Sequence, residues 1–513
     1  MPQPTDPFKS PDTSAIDGRT LIAWGIEPGP RFKLALARAH ELAAQGETLD
    51  AIRVAITAAF PKPAILKRKA SGTFASAIAA ETDEDKANIA AVEQHMAELM
   101  RCPVLEHGAI MPDACPSGSA PGTIPVGGAV VSRAIHPAFH SADICCSMYA
   151  SVYPVGTETR VFIDALKAST RFGPGGRKPE DQIADPITDE IETTQNPFLS
   201  QLASRAKAQL CDQGDGNHFA YLGRMYVTPH LVARLLGAGQ DELARALDGH
   251  TVVDVLVTHH GSRDLGAQVY KRGLTAAMAH VAKVAPYTPP HQAWLDPDSP
   301  SGESYWEALQ YVARWTKRNH QLVHERTAAR LGLTALTSFG NEHNFVWKRG
   351  AHYYHGKGAT PAWTGADGHP LLGLIPLNMA APVLLTLGRD NATYASFAPH
   401  GAGRNKSRTA TLREHGLLGL PLDQFQARSV ELLDRQTEGL DVRFFYDRPD
   451  VSESPLAYKS AALVREQIER FGLADVIATI EPKGCIMAGE YDKPWEAARD
   501  ARRAKRSAAE GSG

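Results

Sequence analysis

The chain has 513 residues, enough for a large core and, by length alone, about three domains. Its 54 basic and 57 acidic residues give a formal net charge of −3, which excludes any global attraction to nucleic acid and leaves only local patches. Six cysteines in so long a chain do not make a disulfide framework, and no run of about 18 apolar residues or apolar leader is present, so the expectation is a cytoplasmic protein with no membrane span.

In chain order, residues 1–17 are polar and proline-rich and read as a flexible tail. Arg31–Gln45 carries Leu34, Leu36, Ala37 and Leu42 at helical spacing, with Gly46 in the position of a C-terminal cap. Leu49–Phe60 repeats the pattern until Pro61. These segments predict a helical N-terminal extension over 18–85. Lys67, Arg68 and Lys69 form a basic run, either a solvated face or a phosphate contact. Thr82 precedes an acidic turn and then Ile89, Val92, Met96 and Leu99, an amphipathic helix with Thr82 as its N-cap.

The texture then changes. Ala109–Val131 is made of short apolar runs broken by Pro and Gly, which predict strands and tight turns. Phe172–Gln195 reads as a long exposed loop. Thr251–Val257 is an apolar run interrupted by Asp254 and suits a buried strand. Ser304–Leu331 predicts one or two long helices whose Trp306, Leu309, Val312, Trp315 and Leu322 face a core. Pro382–Leu387 is a second strand-like run, Ser460–Phe471 a closing helix, and residues 490–513 a loose tail. Patterning alone gives a mixed fold with many short strands.

The chemistry collects around Ala142–Met148, ADICCSM, with a carboxylate at Asp143 and thiols at Cys145 and Cys146. Carboxylate and thiolate three residues apart can share one metal ion, and a thiolate can bridge two. The missing donors must come from far away. His218, His259 and His343 stand in the glycine-rich or polar stretches GDGNHF, THHGSR and NEHN. Asp143, Cys146, His218, His259 and His343 together could hold two metals, each with three protein ligands and open positions, the pattern of a catalytic site. Mixed sulfur, nitrogen and oxygen donors leave Mn, Zn and Co open. His400, in HGAGR, has glycines clearing space around its ring and Arg404 following to pair with an anion, an arrangement suited to a histidine that attacks phosphorus.

These motifs, in this order, resemble the RtcB family of tRNA-splicing RNA ligases. The resemblance rests on MPD at Met111, D-I-x-C-x-M at Asp143, GNHF at Gly216, H-x-GSR at His259, HN at His343, KGAT at Lys357, HGAGR at His400 and an EPKGCIMAG ending. It implies an α+β fold, a compact domain of mixed β-sheets and surrounding helices spanning 86–489. It implies further that Asp143, Cys146 and His218 hold one Mn ion and Cys146, His259 and His343 a second. His400 would attack the α-phosphorus of GTP. RNA ending in a 2′,3′-cyclic phosphate or 3′-phosphate would then be joined to a 5′-hydroxyl end, with archease as an activating partner. Nucleotide-binding positions carried over are Asn217, His218, Phe219, Ala220 and Tyr221; His343 and Asn344; Pro376, Leu377, Asn378 and Met379; and His400, Gly401, Ala402, Gly403 and Arg404. Arg263 would position phosphates, and Lys357 with the basic run Arg404–Arg413 would meet the RNA backbone.

Departures from the family pattern cluster where the guanine base is read. Tyr221 stands in place of Glu, Val383 in place of Ser, Ala488 in place of Lys, and Leu377-Asn378-Met379 in place of Gly-Ser-Met. Gly356 and Pro361 replace arginines, Asp264 and Cys145 replace glycines. The metal and nucleophile positions are kept and the base-reading ones are not. Two rival readings follow: a metal-dependent RNA-end phosphoesterase, and a non-catalytic RNA-end binding protein.

Overall fold

Seven strands of the larger sheet lie in the order Leu372–Pro376, Val383–Gly388, Ala474–Met487, Phe219–Tyr226, Val252–His260, Ser147–Pro154 and Thr337–Glu342, all antiparallel to their neighbours. An eighth, Asp441–Phe444, runs parallel to the second half of Ala474–Met487. The computed structural model describes residues 16–489 apart from 27, 29, 62–64 and 118–119. A second sheet of five strands has the order Phe74–Ser76, Leu105–Cys115, Val126–Ser132, His352–Lys357 and Asn344–Arg349. The edge strand of the first sheet ends at Glu342 and the edge strand of the second begins at Asn344, so His343 is the joint between them. Mixed α and β content with several sheets is the α+β class expected from the sequence.

Local chemistry sets the helix ends. Thr82 and Asp85 form a reciprocal capping box at the start of Asp83–Leu99. The long helix Pro300–Leu331 starts on Ser299, whose hydroxyl accepts the Gly302 N–H, and stops at Gly332 in the left-handed region at φ 64°. Leu309, Val312, Trp315 and Leu322 are buried on its inner face. Both sides of the larger sheet are covered. Leu222 and Leu256 point to the core under the long helix, while Val253, Val255 and Val257 point to a second core. Strand alternation makes this division, and it also decides which side chains reach the site below.

Several expectations need correction. Phe74–Ser76, inside the stretch read as a helical extension, is a strand paired with Leu105–Cys115. The helical unit is Gly18–Ala23, Pro30–Ala44 and Leu49–Ala59, with a small core of its own around Leu21, Ala39, Ile52 and Ile56. Ile16 and Asp17 are not part of a loose tail, for Ile16 is buried and Asp17 caps the first helix. The remainder of that tail and residues 490–513 lie outside the described residues. The stretch 172–195, expected as an exposed loop, carries the helix Pro186–Glu190 and buries Ile187 and Ile191. Ala474–Met487, unmarked by any apolar alternation, is a central strand of the larger sheet. The basic run at 67–69 is structural: Arg68 pairs with Glu98 at 2.7 Å and the Lys69 amine donates to the Leu105 carbonyl.

Buried histidines make acid a destabilising condition. Burial pushes His136 and His324 down to about 3 and His140 down to about 4. A folded-state value below the ordinary 6.5 stabilises the fold above pH 6.5, and that stability drains away as pH falls toward 4. At pH 5 each such histidine removes about 2 kcal/mol relative to neutral pH. Urea midpoints should therefore drop clearly between pH 7 and pH 5. A midpoint flat across that interval would contradict neutral burial of these rings.

Candidate active site

Antiparallel pairing brings the site together. Where strands alternate in direction, the start of one lies beside the end of the next. Cys146 immediately precedes Ser147–Pro154, His218 precedes Phe219–Tyr226, His259 lies near the end of Val252–His260, and His343 follows Thr337–Glu342. The register aligns them: Ser147 faces both His260 and Glu342, and Phe219 faces His259. Four donors remote in sequence thus meet at one end of the sheet. Alternation then separates the two adjacent histidines. His259 joins the ligand side, whereas His260 turns to the back and stacks on His320 at 3.4 Å.

Asp143 completes the set from a loop sewn to that sheet end. Cys145 N–H donates to the Asn344 carbonyl at 2.8 Å, and His343 N–H donates to the Cys146 carbonyl at 3.0 Å. Gly261 has to be glycine, because a Cβ there would lie 2.0 Å from Asp143 Oδ1.

Donor atoms form two groups that share one sulfur: Asp143, Cys146 and His218, and Cys146, His259 and His343. Cys146 Sγ is 3.5 Å from His218 Nε2 and 3.2 Å from His259 Nε2. His259 Nε2 is 3.1 Å from His343 Nε2, and His218 Nε2 is 2.9 Å from Asp143 Oδ2. Ligands around one tetrahedral ion are spaced about 3.3 Å for two imidazoles and about 3.6 Å for a thiolate and an imidazole. The residues present therefore fit two divalent cations bridged by Cys146. The His259 ring is fixed for this role, since its Nδ1 lies 3.0 Å from the Asn217 carbonyl and donates to it, leaving the Nε2 lone pair free.

Electrostatics agree with the geometry. Burial, followed by the neighbouring imidazoles, pushes His259 down to about 3 and His343 well below the ordinary value, so both rings are neutral donors. Burial works to raise the Asp143 carboxyl, but His218 beside it outweighs this and holds it at about 2. Burial and the Asp143 carboxylate push the Cys146 thiol well up. Without a cation that thiol keeps its proton, so loading the site with metal releases it.

His400 stands next to this cluster, its ring centroid 4.9 Å from that of His343. Its Nδ1–H donates to Asp113 Oδ2 at 2.5 Å, and its backbone N–H reaches the same oxygen at 3.2 Å. With the proton on Nδ1, the Nε2 atom carries the ring's lone pair. Gly358 of KGAT gives the ring its room, since a Cβ there would be 2.8 Å from His400 Cε1. Asp113 is a site residue that the sequence reading quoted within MPD without giving it a task. The signal in the sequence was a carboxylate within the apolar run 109–114, which the structure buries fully. Asp113→Asn should leave the fold and the metal count intact and lower His400 chemistry by about 10²–10⁴-fold, because the amide can hold the wrong tautomer. A rate within threefold of the unaltered chain would remove Asp113 from this role.

A cavity of about 250 Å³ opens beside His259 and His400. Of the expected nucleotide-binding positions it is lined by Asn217, Phe219 and Tyr221, by Pro376 to Met379 and by His400 to Arg404. Ala220 does not join them: alternation turns its side chain to the opposite core. Asn344 is occupied as a splice, its Oδ1 accepting the Gly358 N–H at 2.7 Å. Residues added to the cavity by the structure include Val126, Arg408, Glu453, Tyr458 and Met487. The Arg263 guanidinium donates to the Gly173 carbonyl at 2.8 Å and has a buried Nε without a partner.

The expected RNA-backbone contacts look different in three dimensions. Lys357 is turned inward, donating to Ser117 and to the Ile124 carbonyl, and burial lowers it to about 8. Lys406 pairs with Glu414 at 2.7 Å and Glu84 at 3.3 Å, and Arg408 pairs with Glu453. Arg404 donates to the Ser452 carbonyl at 2.8 Å. Much of that positive charge is already balanced within the fold.

Two donor groups that share one sulfur lie at a sheet end, with a histidine held by a buried carboxylate beside them. Residues 174–488 match the family model described as tRNA-splicing ligase RtcB, and the chain belongs to the RtcB family. Similar proteins include the tRNA-splicing ligase RtcB of Thermococcus kodakarensis, 27% identical over 56% of this chain and 61% of that protein. The tRNA-splicing ligase RtcB of Pyrococcus abyssi is 26% identical over 63% of this chain and 36% of its own length. The RNA-splicing ligase RtcB of Mycobacterium tuberculosis is 29% identical over 55% of this chain and 65% of its own length. In each case the matched part falls short of two thirds of the relative. No helix among the described residues is long and apolar enough to cross a membrane.

Proposed function

We propose that the protein is an RNA ligase that joins 2′,3′-cyclic-phosphate or 3′-phosphate ends to 5′-hydroxyl ends through a nucleotide carried on His400. The observation that carries this reading is a histidine held through Nδ1 by Asp113 beside two donor groups that share Cys146. Family membership supports it, as do the ligase names of the relatives. Two divalent cations, Mn²⁺ in the first instance, would be held by the two donor groups and would neutralise charge on phosphate oxygens.

This chain's residues do the rest. His400 Nε2 forms a bond to the α-phosphorus of a nucleoside triphosphate while the bond to the β-phosphate oxygen breaks and pyrophosphate leaves. Asp113 holds the Nδ1 proton and offsets the positive charge that develops on the ring. A cyclic phosphate is opened by water to a 3′-phosphate. An oxygen of that 3′-phosphate then takes the nucleotide from His400. Finally the 5′-hydroxyl oxygen attacks the 3′-phosphorus, loses its proton to solvent and expels the nucleoside monophosphate. GTP is the nucleotide the family resemblance suggests, archease the activating partner and the cytoplasm the setting.

Incubation with labelled nucleoside triphosphate and Mn²⁺, followed by a denaturing gel, tests the proposal. An acid-labile protein adduct is expected, and it should be lost in His400→Ala. Absence of an adduct with every nucleotide would defeat it. A second reading, the metal-dependent phosphoesterase, draws support from the apolar lining of the cavity at Tyr221 and Val383. It predicts opening of cyclic ends with no joining.

A further inference from the structure

We infer, building on the ligase reading, that the cavity beside His400 holds a nucleobase by apolar contact rather than by its hydrogen-bonding edge, and accepts adenine and guanine nucleotides alike. The cavity floor is one face of the larger sheet, and its composition follows from register. Phe219 lies between His259 and Met487, forming the row next to the metal positions. Two residues further along the strand, Tyr221 lies between Val257 and Cys485. Val383 and Met379 close that end from the neighbouring hairpin. The floor thus passes from imidazole to hydrocarbon, aromatic ring and sulfur within two rows.

Polar groups in this wall are largely committed. The Tyr221 hydroxyl donates to the Ile480 carbonyl at 2.8 Å, so the ring, and not the hydroxyl, is offered to a ligand. Glu453 Oε2 accepts from Tyr458 at 2.5 Å and Oε1 is ion-paired with Arg408, so the carboxylate is charge-balanced, although Oε1 and the neighbouring Arg404 Nη2 make no hydrogen bond among the described residues. Asn378 Oδ1 accepts the Ala380 N–H at 3.0 Å. Its remaining amide NH₂ is a donor that a ring-nitrogen acceptor of either purine satisfies equally. Guanine differs from adenine in its N1–H, N2 amine and O6, and telling them apart takes a buried acceptor or donor committed to those atoms. A pocket built to hydrogen-bond its ligand discriminates by about 10⁴–10⁵, whereas an apolar one rarely exceeds about 10². The residues here do not fit a guanine-selective site.

The test has two independent readouts on the full chain. Adduct formation is measured with labelled GTP and ATP in Mn²⁺. Equilibrium dialysis of the same two nucleotides is measured on His400→Ala, where no adduct can form. Rates and affinities for GTP and ATP should lie within about tenfold of each other. Tyr221→Phe should leave the ratio unchanged, because the lost hydroxyl faces Ile480. Tyr221→Glu, which offers a carboxylate to N1–H and N2–H, should raise the GTP to ATP ratio at least tenfold. Preference for either nucleotide above tenfold in either readout overturns the inference, as does a Tyr221→Phe ratio altered by more than that. Equal binding of the two nucleotides with no adduct from either would defeat the ligase reading and uphold this one. An adduct confined to GTP would do the reverse.

Discussion

His400→Ala is expected to abolish nucleotide attachment and to lower joining by at least about 10⁴-fold, the scale on which removing a covalent nucleophile acts. Two other quantities separate this from general damage. His400 is in neither donor group, so the variant should carry as much metal as the unaltered chain. Asp113, fully buried, would keep only the backbone N–H of residue 400 at 3.2 Å and lose its ring partner. Leaving a buried acceptor short of a partner costs about 1–3 kcal/mol, which in a chain of this size lowers Tm by about 1–3 °C. Joining retained in His400→Ala, measured on a gel with matched RNA ends, would show that the ring is structural.

Cys146→Ala is expected to empty both metal positions, whereas His218→Ala or His343→Ala should weaken one each. The asymmetry follows from the shared sulfur: Cys146 is the donor common to both groups, and each histidine serves one. Elemental analysis after saturation with Mn²⁺ should read about two ions per unaltered chain, near none for Cys146→Ala and about one for each histidine variant. Thermal shifts give a second view. A site filled at a hundredfold excess over its Kd adds about 2.7 kcal/mol, so chelator should lower the Tm of the unaltered chain and leave that of Cys146→Ala in place. Two ions retained by Cys146→Ala would show that the sulfur bridges nothing.

Features governed by neighbouring residues could be read directly from the sequence. Thr82 marks a helix start because a cap acts within one turn, whereas the long helix expected from Ser304 begins at Pro300, capped by Ser299. The five candidate metal donors stood out as a carboxylate and a thiol three residues apart and as histidines among glycine and polar residues, and the structure gathers all five. Ala474–Met487 did not stand out. Pro482 and Gly484 interrupt any alternation, and the register shifts between them against Phe219–Tyr226. The β-branched run 476–480 suits a strand, but its continuation to Met487 depends on partners on both sides. Ala220 was swept in because a motif is a contiguous window while a strand presents alternate residues. Asp113 was passed over for the opposite reason, since its task is set by His400, far away in the chain. Ile187 and Ile191 were masked by the prolines and acids around them.

The place of Ala474–Met487 in the larger sheet bears on how the polypeptide matures. It sits between Val383–Gly388 and Phe219–Tyr226, yet it follows both in the chain. While the protein is being synthesised, Phe219–Tyr226 can pair with Val252–His260 early, but its other flank stays open until nearly all the described chain has emerged. An unpaired strand flank is adhesive toward other chains. Nascent protein should therefore depend on holdase chaperones late in translation, and truncation just before Ala474 should yield aggregates rather than a smaller soluble fold.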